Sequence, residues 1–129
     1  MVGRKIQEDL CNRIIKLNKG IRYVGLVNRS GKIVVGKYRK GLTPLLSKTE
    51  EESHVKQSVR RIKTVQAINT LFHERKLGKI IYSYILFENV KRATIPIRNH
   101  VLLLSFDKDV NHETIIMKKV LPYVRKREL

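Results

Sequence analysis

The chain has little sulfur chemistry available to it, because its only cysteine is Cys11. One cysteine excludes an internal disulfide and cannot complete a thiolate zinc site. The four histidines do not fall at a spacing typical of metal ligands; they are His54, His73, His100 and His112. We therefore expect no metal and no cofactor. We expect Cys11 to be a small buried hydrophobe of a helix rather than a redox or nucleophilic thiol.

Long hydrophobic runs are also missing. The longest is the four-residue run 101–104, whereas about 20 apolar residues are needed to span a bilayer, and the first residues show no apolar signal core. A length of 129 residues is common for one domain. We expect a single domain over 1–129, located in the cytoplasm, with a frayed basic end at 125–129.

Acidic residues are scarce: 11 Asp and Glu stand against 28 Lys and Arg, which gives a formal net charge of +17. The excess peaks in residues 21–41, with six cations and no acid, and is smallest in residues 80–110, with four cations and three acids. The charge is thus spread over the fold. Such a surface attracts polyanions, namely nucleic acid, anionic lipid or acidic protein. The alternative is that the charge only keeps the protein soluble.

Three short patterns resemble functional motifs but lack a required residue. Residues 107–111 begin like a calcium loop, but His112 replaces the glycine and Lys118 replaces the bidentate glutamate. Residues 36–41 carry two glycines at Walker spacing without the lysine that grips phosphate. The acids and histidine of 50–54 lie at a predicted helix start, where the helix dipole favours solvated acids. We find no catalytic site and predict that the protein is not an enzyme.

Hydrophobic periodicity predicts eight elements in the order α-β-β-α-β-β-β-α. The expected elements are a helix over 5–18, strands at 21–27 and 32–38, a helix capped at Ser47 and ended by Gly78, strands at 80–87, 90–97 and 101–106, and a helix capped at Asn111. The inward stripe of the first helix comprises Ile6, Leu10, Ile14 and Leu17. The segment 101–106 is apolar on both faces, so we place it at the sheet centre. Pro122 is expected to kink or end the last helix.

The second helix is apolar on more than one side. Val55 and Ile62 continue one face, whereas Val65 and Phe72 rotate to another. Either the helix breaks near Thr64, or it is apolar on more than one face. A helix buried on two sides would contact its own sheet and something else, such as a partner chain. The short loops favour an α/β domain of the α+β kind, with one antiparallel sheet and helices packed on it.

Basic residues interleaved with aromatic residues make the first hairpin and the second helix a candidate polyanion-binding surface. Cations position phosphates, and Tyr23 and Tyr38 would stack on unpaired bases, with ordinary packing as their alternative role. No recognised nucleic-acid motif is present, so sequence-specific readout is not expected. The candidate residues are Arg22, Arg29, Lys32, Lys37, Arg39, Lys40, Arg60, Arg61 and Lys63.

The element order resembles the roadblock/dynein light-chain type within the profilin-like architecture, and three stretches resemble uncharacterised archaeal proteins of that type. The stretches are Gly20-Ile-Arg-Tyr-Val-Gly-Leu-Val-Asn28, Lys76-Leu-Gly-Lys-Ile-Ile-Tyr82 and Lys91-Arg-Ala-Thr-Ile-Pro-Ile97. The resemblance covers nearly the whole chain.

This resemblance implies a five-stranded antiparallel sheet in the order 2-1-5-4-3, with the second helix on one face and the first and last helices on the other. It also implies a dimer formed through the second helix and the edge strand after it. Family members serve as non-enzymatic platforms for small GTPases and for motor or signalling complexes, but a charge of +17 is not general among them. The interface residues expected here are Ile68, Phe72, Ile80, Tyr82 and Tyr84.

Three functions from different classes are open at this point. The first is a homodimeric, non-enzymatic scaffold or regulatory module that recruits a macromolecule, either an acidic protein or a nucleic acid. The alternative is a nucleic-acid-binding protein that acts through phosphate contacts. The second alternative is a small-molecule sensor, since related sheet folds hold ligands, although the sequence shows no pocket signature.

Overall fold

The computed structural model describes residues 3–127. Two predictions fall partly outside this range, namely the missing signal core at the first residues and the frayed end at 125–129, and both stay predictions. The elements in chain order are α1 (Arg4–Ile15), β1 (Ile21–Asn28), β2 (Ile33–Tyr38), α2 (Lys48–Phe72), α3 (Glu74–Leu77), β3 (Ser83–Leu86), β4 (Val90–Ile97), β5 (His100–Asp107), α4 (His112–Ile115), a π-helical turn (Ile116–Val120) and α5 (Leu121–Arg125).

The five strands form one antiparallel sheet in the order β2-β1-β5-β4-β3, which confirms the expected fold class and strand order. β5 lies at the centre, where Leu104 faces Val24 of β1 on one side and Ala93 of β4 on the other. Residues 101–106 are buried throughout, as the two-sided apolar pattern predicts. The sheet is therefore built around its most hydrophobic strand.

Each face of the sheet buries its own apolar cluster. On one face, Leu10 of α1 and Val124 of α5 lie in the cluster that includes the β5 side chains. On the other face, Val55 and Ile62 of α2 lie in the second cluster. Cys11 is fully buried in the first cluster, as predicted, and burial raises the pKa of its thiol to about 11. Helices thus cover both faces of the sheet.

The start of α2 follows directly from its sequence. The Ser47 hydroxyl accepts a hydrogen bond of 3.1 Å from the Glu50 amide, and the Glu50 carboxylate accepts one of 2.8 Å from the Ser47 amide. This reciprocal pair is the predicted capping box. The helix then continues through Thr64 to Phe72 without a break, so the alternative of a helix with more than one apolar face is the correct one, and the second apolar face is exposed. A short α3 follows before Gly78, whose φ of 82° ends the helical path.

The last helical segment accommodates Pro122 instead of stopping at it. Pro122 lies in the first turn of α5, directly after the π-helical turn Ile116–Val120. Proline lacks an amide hydrogen and collides with the carbonyl group four residues earlier in a regular α-helix. The wider hydrogen-bond register of the π-turn falls at the position where this conflict would arise. The segment remains helical to Arg125, with a local change of helix type at the predicted position.

Two predicted boundaries are wrong. The first helix ends at Ile15 rather than at 18, and Ile6 is exposed instead of facing inward. The strand expected at 80–87 forms only over Ser83–Leu86. In the register of β3 and β4, the residue opposite Pro96 would be Ile81, and proline cannot donate a ladder hydrogen bond. The strand therefore begins after this point.

Candidate interaction surfaces

Exposed hydrophobic side chains concentrate in one part of the chain. Among residues 3–127, fourteen large hydrophobic residues are exposed, and ten of these lie between 65 and 87. Monomeric soluble proteins rarely expose large contiguous apolar patches. The region from the second half of α2 to the β3–β4 turn is therefore the first candidate for a contact surface.

The α2 part of this region is one side of the helix whose apolar side chains are exposed instead of packing on the sheet. Val65, Ile68 and Phe72, which we call the apolar flank, lie at i, i+3 and i+7 on one side of the helix. Ile68 is 49% exposed and Phe72 is 72% exposed. His54 lies three turns earlier on the same side, and its ring centroid is 5.8 Å from that of Phe87. The apolar flank therefore faces the β3 side of α2.

The strand next to this flank is an edge of the sheet. β3 pairs with β4 alone among the described strands, and all four of its residues are exposed. Tyr84 turns toward the C-terminal helices, where its ring centroid is 4.0 Å from that of His112. Because side chains alternate along a strand, Ile85 turns to the side of α2. An open backbone edge and an apolar helix flank therefore lie toward the same side of α2.

The structure distributes the five residues predicted for a dimer interface over three environments. Ile68 and Phe72 belong to the apolar flank. Ile80 is half-buried against the cluster beneath α2, and Tyr82 packs against the cluster on the opposite face. Tyr84 is exposed but stacks on its own chain. The sequence analysis did not include Ile85, which faces the same side as the apolar flank. The alternation of side chains along the strand next to Tyr84 could have predicted this.

The basic residues expected to form one polyanion surface are also divided. Arg22 and Arg39 both bind Asp107, with N–O distances of 3.1 and 2.7 Å. The hydrogen bond from Arg39, together with that from Arg22, lowers the pKa of the Asp107 carboxyl group. These two guanidinium groups are engaged in holding the start of β1 and the end of β2 to the end of β5. They are not free phosphate ligands.

The other seven predicted cations lie in four places. Lys32 and Lys37 line a hollow along β2 that also includes Glu8 and Glu52, and Lys40 is exposed in the loop after β2. Arg61 donates to the Ser58 hydroxyl on the side of α2 that faces away from the β1–β2 turn. The remaining three line a different hollow along α2; they are Arg29, Arg60 and Lys63. Of these groups, only the last lies together in a hollow whose own lining contains no acid.

A buried ion pair fixes the start of α2 to the sheet. Arg92 of β4 donates to Glu51 at 2.6 Å, and both side chains are 8% exposed. Tyr38 donates to the other carboxylate oxygen at 3.3 Å. The expectation that the acids of 50–54 are solvated is therefore wrong for Glu51, because a buried arginine from a distant strand provides its partner. Both carboxylate oxygens are engaged, and the arrangement serves to hold the helix rather than to transfer protons.

Two residues around this pair have pKa values that differ from their ordinary ones. Tyr23 is buried, and burial followed by the charge of Glu51 raises the pKa of its hydroxyl group. Burial, followed by the charge of Arg92, lowers the pKa of His54, whose Nδ1 has no hydrogen-bond partner among the described residues. Tyr23 therefore has the packing role, not the base-stacking one. The pair and the tyrosines form one polar network beneath α2.

A hollow of about 520 Å³ opens beside this network, between α2 and the loop 42–46. Its volume lies in the range of small-molecule sites, and the sensor function stays a prediction. Among the described residues, no group of three or more His, Cys, Asp and Glu side chains is arranged to hold a metal ion. No helix within residues 3–127 combines the length and the apolar character needed to cross a membrane.

No protein-family model matches the sequence, and no curated protein matches it. Solved structures do match. MglB from Myxococcus xanthus has a TM-score of 0.73 at 14% identity, over 98% of this chain and 91% of that chain. A roadblock/LC7 domain from Streptomyces avermitilis has a TM-score of 0.69 at 8% identity, over 92% of this chain and 94% of that one. The chain has the roadblock/LC7 fold.

Identities this low show the fold alone. A further match, described as MglB with tetrameric arrangement, has a TM-score of 0.69 at 16% identity, over 98% of this chain and 86% of that chain. The resemblance stated from the sequence is thus confirmed for the architecture. Within the roadblock/LC7 fold, this chain combines an apolar flank on the side of α2 toward the open edge strand with a separate cluster of cations that has no carboxylate partner within 4.0 Å among the described residues.

Proposed function

We propose that this chain is a non-enzymatic interaction module, a scaffold or regulator, that works as a homodimer. Two copies join through their β3 edges and their apolar flanks. The observation that carries this proposal is the position of Ile68 and Phe72, which are exposed on the side of α2 that carries His54, whose ring packs on Phe87 next to the edge strand β3. The tetrameric arrangement named for one solved MglB structure supports self-association of this fold.

Joining two β3 strands satisfies groups that a single copy leaves open. Edge strands present unpaired backbone donors and acceptors, and pairing β3 with a second β3 would continue the sheet across the dimer. The two apolar flanks would then meet above the joined strands. Burying one Phe or Ile side chain contributes about 1.5–3 kcal/mol, so Ile68 and Phe72 of both copies would supply most of the apolar driving force.

We propose no catalytic role because two carboxylates that lie within the fold are bound by other side chains of the same chain. Glu51 binds Arg92 and Tyr38, and Asp107 binds two arginines. Each of these carboxylates stabilises contacts between distant elements and is already occupied by its own chain. The module therefore acts by binding, and its partner is a macromolecule attracted to a basic surface, an acidic protein or a nucleic acid.

The test is the mass of the protein in solution. Light scattering coupled to size-exclusion chromatography should give twice the mass of one chain. The variants Ile68→Asp and Phe72→Asp should give the mass of one chain, because a charge in the interface would be desolvated without a partner. The matched control is Ile6→Asp on α1, where the side chain is 57% exposed on the other side of the sheet.

The control should remain dimeric, and circular dichroism should show that all three variants are folded. A wild-type protein that is monomeric at millimolar concentration would contradict the proposal. A Phe72→Asp variant that stays dimeric would equally remove the apolar flank from the interface.

A further inference from the structure

A second surface lies on the other side of α2 and is basic instead of apolar. Two adjoining hollows, of about 920 and about 530 Å³, share Arg29, Lys63 and Ala67, so they form one continuous groove. It runs between α2 and the turns that join β1 to β2 and β4 to β5. We call it the basic groove, and its cations are Arg29, Lys56, Arg60, Lys63, Lys79 and Arg98.

The fold builds this groove from a helix face and a tight turn. Lys56, Arg60 and Lys63 lie at i, i+4 and i+7 and therefore project from one side of α2. The ammonium group of Lys63 donates to the carbonyl oxygen of Arg29 at 3.2 Å. Gly31 has a φ of 90°, and a side chain there would meet the Lys56 backbone at 3.3 Å. The glycine thus allows the β1–β2 turn to lie directly against the helix.

No carboxylate neutralises the cations of the groove, although the guanidinium group of Arg98 is shared with the carbonyl oxygens of Arg125 and Arg127, to which it donates. None of the six has a carboxylate within 4.0 Å among the described residues, in contrast to Arg22 and Arg39, which share Asp107. Glu74 is the one acid that lines the groove. Each of the six is exposed. The basic groove therefore gathers more positive charge without a carboxylate partner than the first hairpin does.

The lining of the groove indicates which polyanion fits. Residues 56 to 63 span about 10 Å along the helix, at about 1.5 Å per residue, so the cations form a row that matches a repeating anionic chain. No Phe, Tyr or Trp lines the groove, and its one ring is that of the half-buried His100, so it offers no row of rings for base stacking and no large aromatic anchor for a membrane or a peptide. Contacts would be made to phosphates alone, which carry no sequence information.

We propose that the basic groove binds the phosphate backbone of a nucleic-acid duplex without reading its sequence. This goes beyond the proposed dimer and uses a different surface. Lys63 and Val65 are two residues apart on α2 and therefore lie on opposite sides of the helix. A dimer joined through the apolar flanks would carry two basic grooves, one per copy, and both would remain open to a duplex.

The experiment is fluorescence anisotropy with nuclease-treated protein and labelled DNA and RNA duplexes of two unrelated sequences. Binding is measured at about 50 and about 200 mM salt, since six to ten phosphate contacts would cost about 10³–10⁵ in affinity over this range. The groove variant carries Lys56→Gln, Arg60→Gln and Lys63→Gln. The matched control carries Lys5→Gln, Lys16→Gln and Lys118→Gln, which removes the same charge from exposed positions on the other side of the sheet.

The expected result is similar affinity for both sequences and a steep loss with salt. The groove variant should bind roughly tenfold more weakly or worse at the lower salt, and its slope of log affinity against log salt should fall by roughly 2.7, because each lost phosphate contact removes about 0.9. The control should keep the wild-type slope. Both variants should keep the oligomeric mass of the wild type, which separates this proposal from the dimer.

Four results would overturn the proposal. One is no duplex binding at the lower salt. A second is an equal loss of affinity in the groove variant and the control, which would mean that net charge alone is responsible. A third is tighter binding to single strands than to duplexes, and a fourth is groove-dependent binding to phosphatidylserine vesicles or polyglutamate with no binding to duplexes.

Discussion

Glu51 of α2 and Arg92 of β4 are 41 residues apart in sequence and form an ion pair of 2.6 Å beneath the helix. The ring of Tyr23 lies 5.9 Å from the Arg92 guanidinium group, and Arg92 Nε has no hydrogen-bond partner among the described residues. The arginine therefore depends on Glu51 for compensation of its charge. The pair holds the first turns of α2 onto the sheet.

Removal of one partner should be costly. In the variant Glu51→Ala, Arg92 would remain buried without a counter-charge, and breaking a buried pair in this way costs about 3–5 kcal/mol. We expect the free energy of unfolding, measured by urea denaturation, to fall by that amount. The adjacent Glu52 is exposed, so Glu52→Ala should change it by less than about 0.5 kcal/mol. Equal losses in the two variants would show that the pair contributes nothing particular to stability.

The same pair shows where sequence reasoning reaches its limit. Three consecutive acids at a helix start are fully explained by the helix dipole and the capping box, and Glu50 does have that role. Nothing local distinguishes Glu51 from its neighbours. Its burial depends on an arginine that only the tertiary fold brings close. The same holds for Asp107, whose partners Arg22 and Arg39 are 85 and 68 residues away.

The fold itself was predictable because its signals are local or periodic. The Ser47–Glu50 box begins α2, and the doubly apolar segment 101–106 lies at the sheet centre. The errors occur where the extent or the surroundings of an element depend on a neighbouring element. The length of β3 depends on the position of Pro96 in β4, and the basic groove depends on Arg98 in a turn and Lys79 in a loop. The sequence pattern marks neither of these two cations as a neighbour of α2.

Stability should decrease as the pH falls from about 7.5 to about 5. Burial lowers the pKa of His54, His100 and His112 below their ordinary value of 6.5. The unfolded chain therefore takes up protons first as the pH falls through 6.5, which favours unfolding. The stabilisation is fully present above this value and is lost toward the lower pKa values of the folded state. Urea denaturation at the two pH values measures the loss.

A matched pair of variants identifies the source of this loss. His54→Gln removes one of the half-buried histidines and should make the decrease smaller. His73→Gln removes an exposed histidine after α2 and should leave the decrease as it is in the wild type. Unchanged or greater stability at about pH 5 in the wild type would show that the histidines do not control this range.

The Cys11 thiol should be unreactive in the folded protein. It is fully buried, and burial raises its pKa to about 11, so little thiolate forms near neutral pH. We expect an aromatic disulfide reagent to label the native protein only as fast as the chain unfolds, and to label it at once in denaturant. Adding urea below the unfolding midpoint should accelerate labelling. Rapid stoichiometric labelling of the native protein would mean that the face covered by α1 opens readily.

The dimer and the basic groove should respond to salt in opposite directions. Two copies of a chain with a charge of +17 repel each other, and the proposed contact between them is apolar. Raising the salt from about 50 to about 200 mM shortens the screening length and weakens this repulsion, so the dimer should dissociate less. Binding of a duplex releases counterions and should become weaker over the same range.

Sedimentation equilibrium without nucleic acid measures the first response, and anisotropy with a labelled duplex measures the second. The groove variant Lys56→Gln, Arg60→Gln and Lys63→Gln should reduce both responses, because it lowers the repulsion and removes phosphate contacts. The control variant carrying Lys5→Gln, Lys16→Gln and Lys118→Gln lowers the net charge equally. It should therefore reduce only the response of the dimer to salt. A dimer that weakens with salt would contradict the apolar interface and would place ion pairs between the two copies.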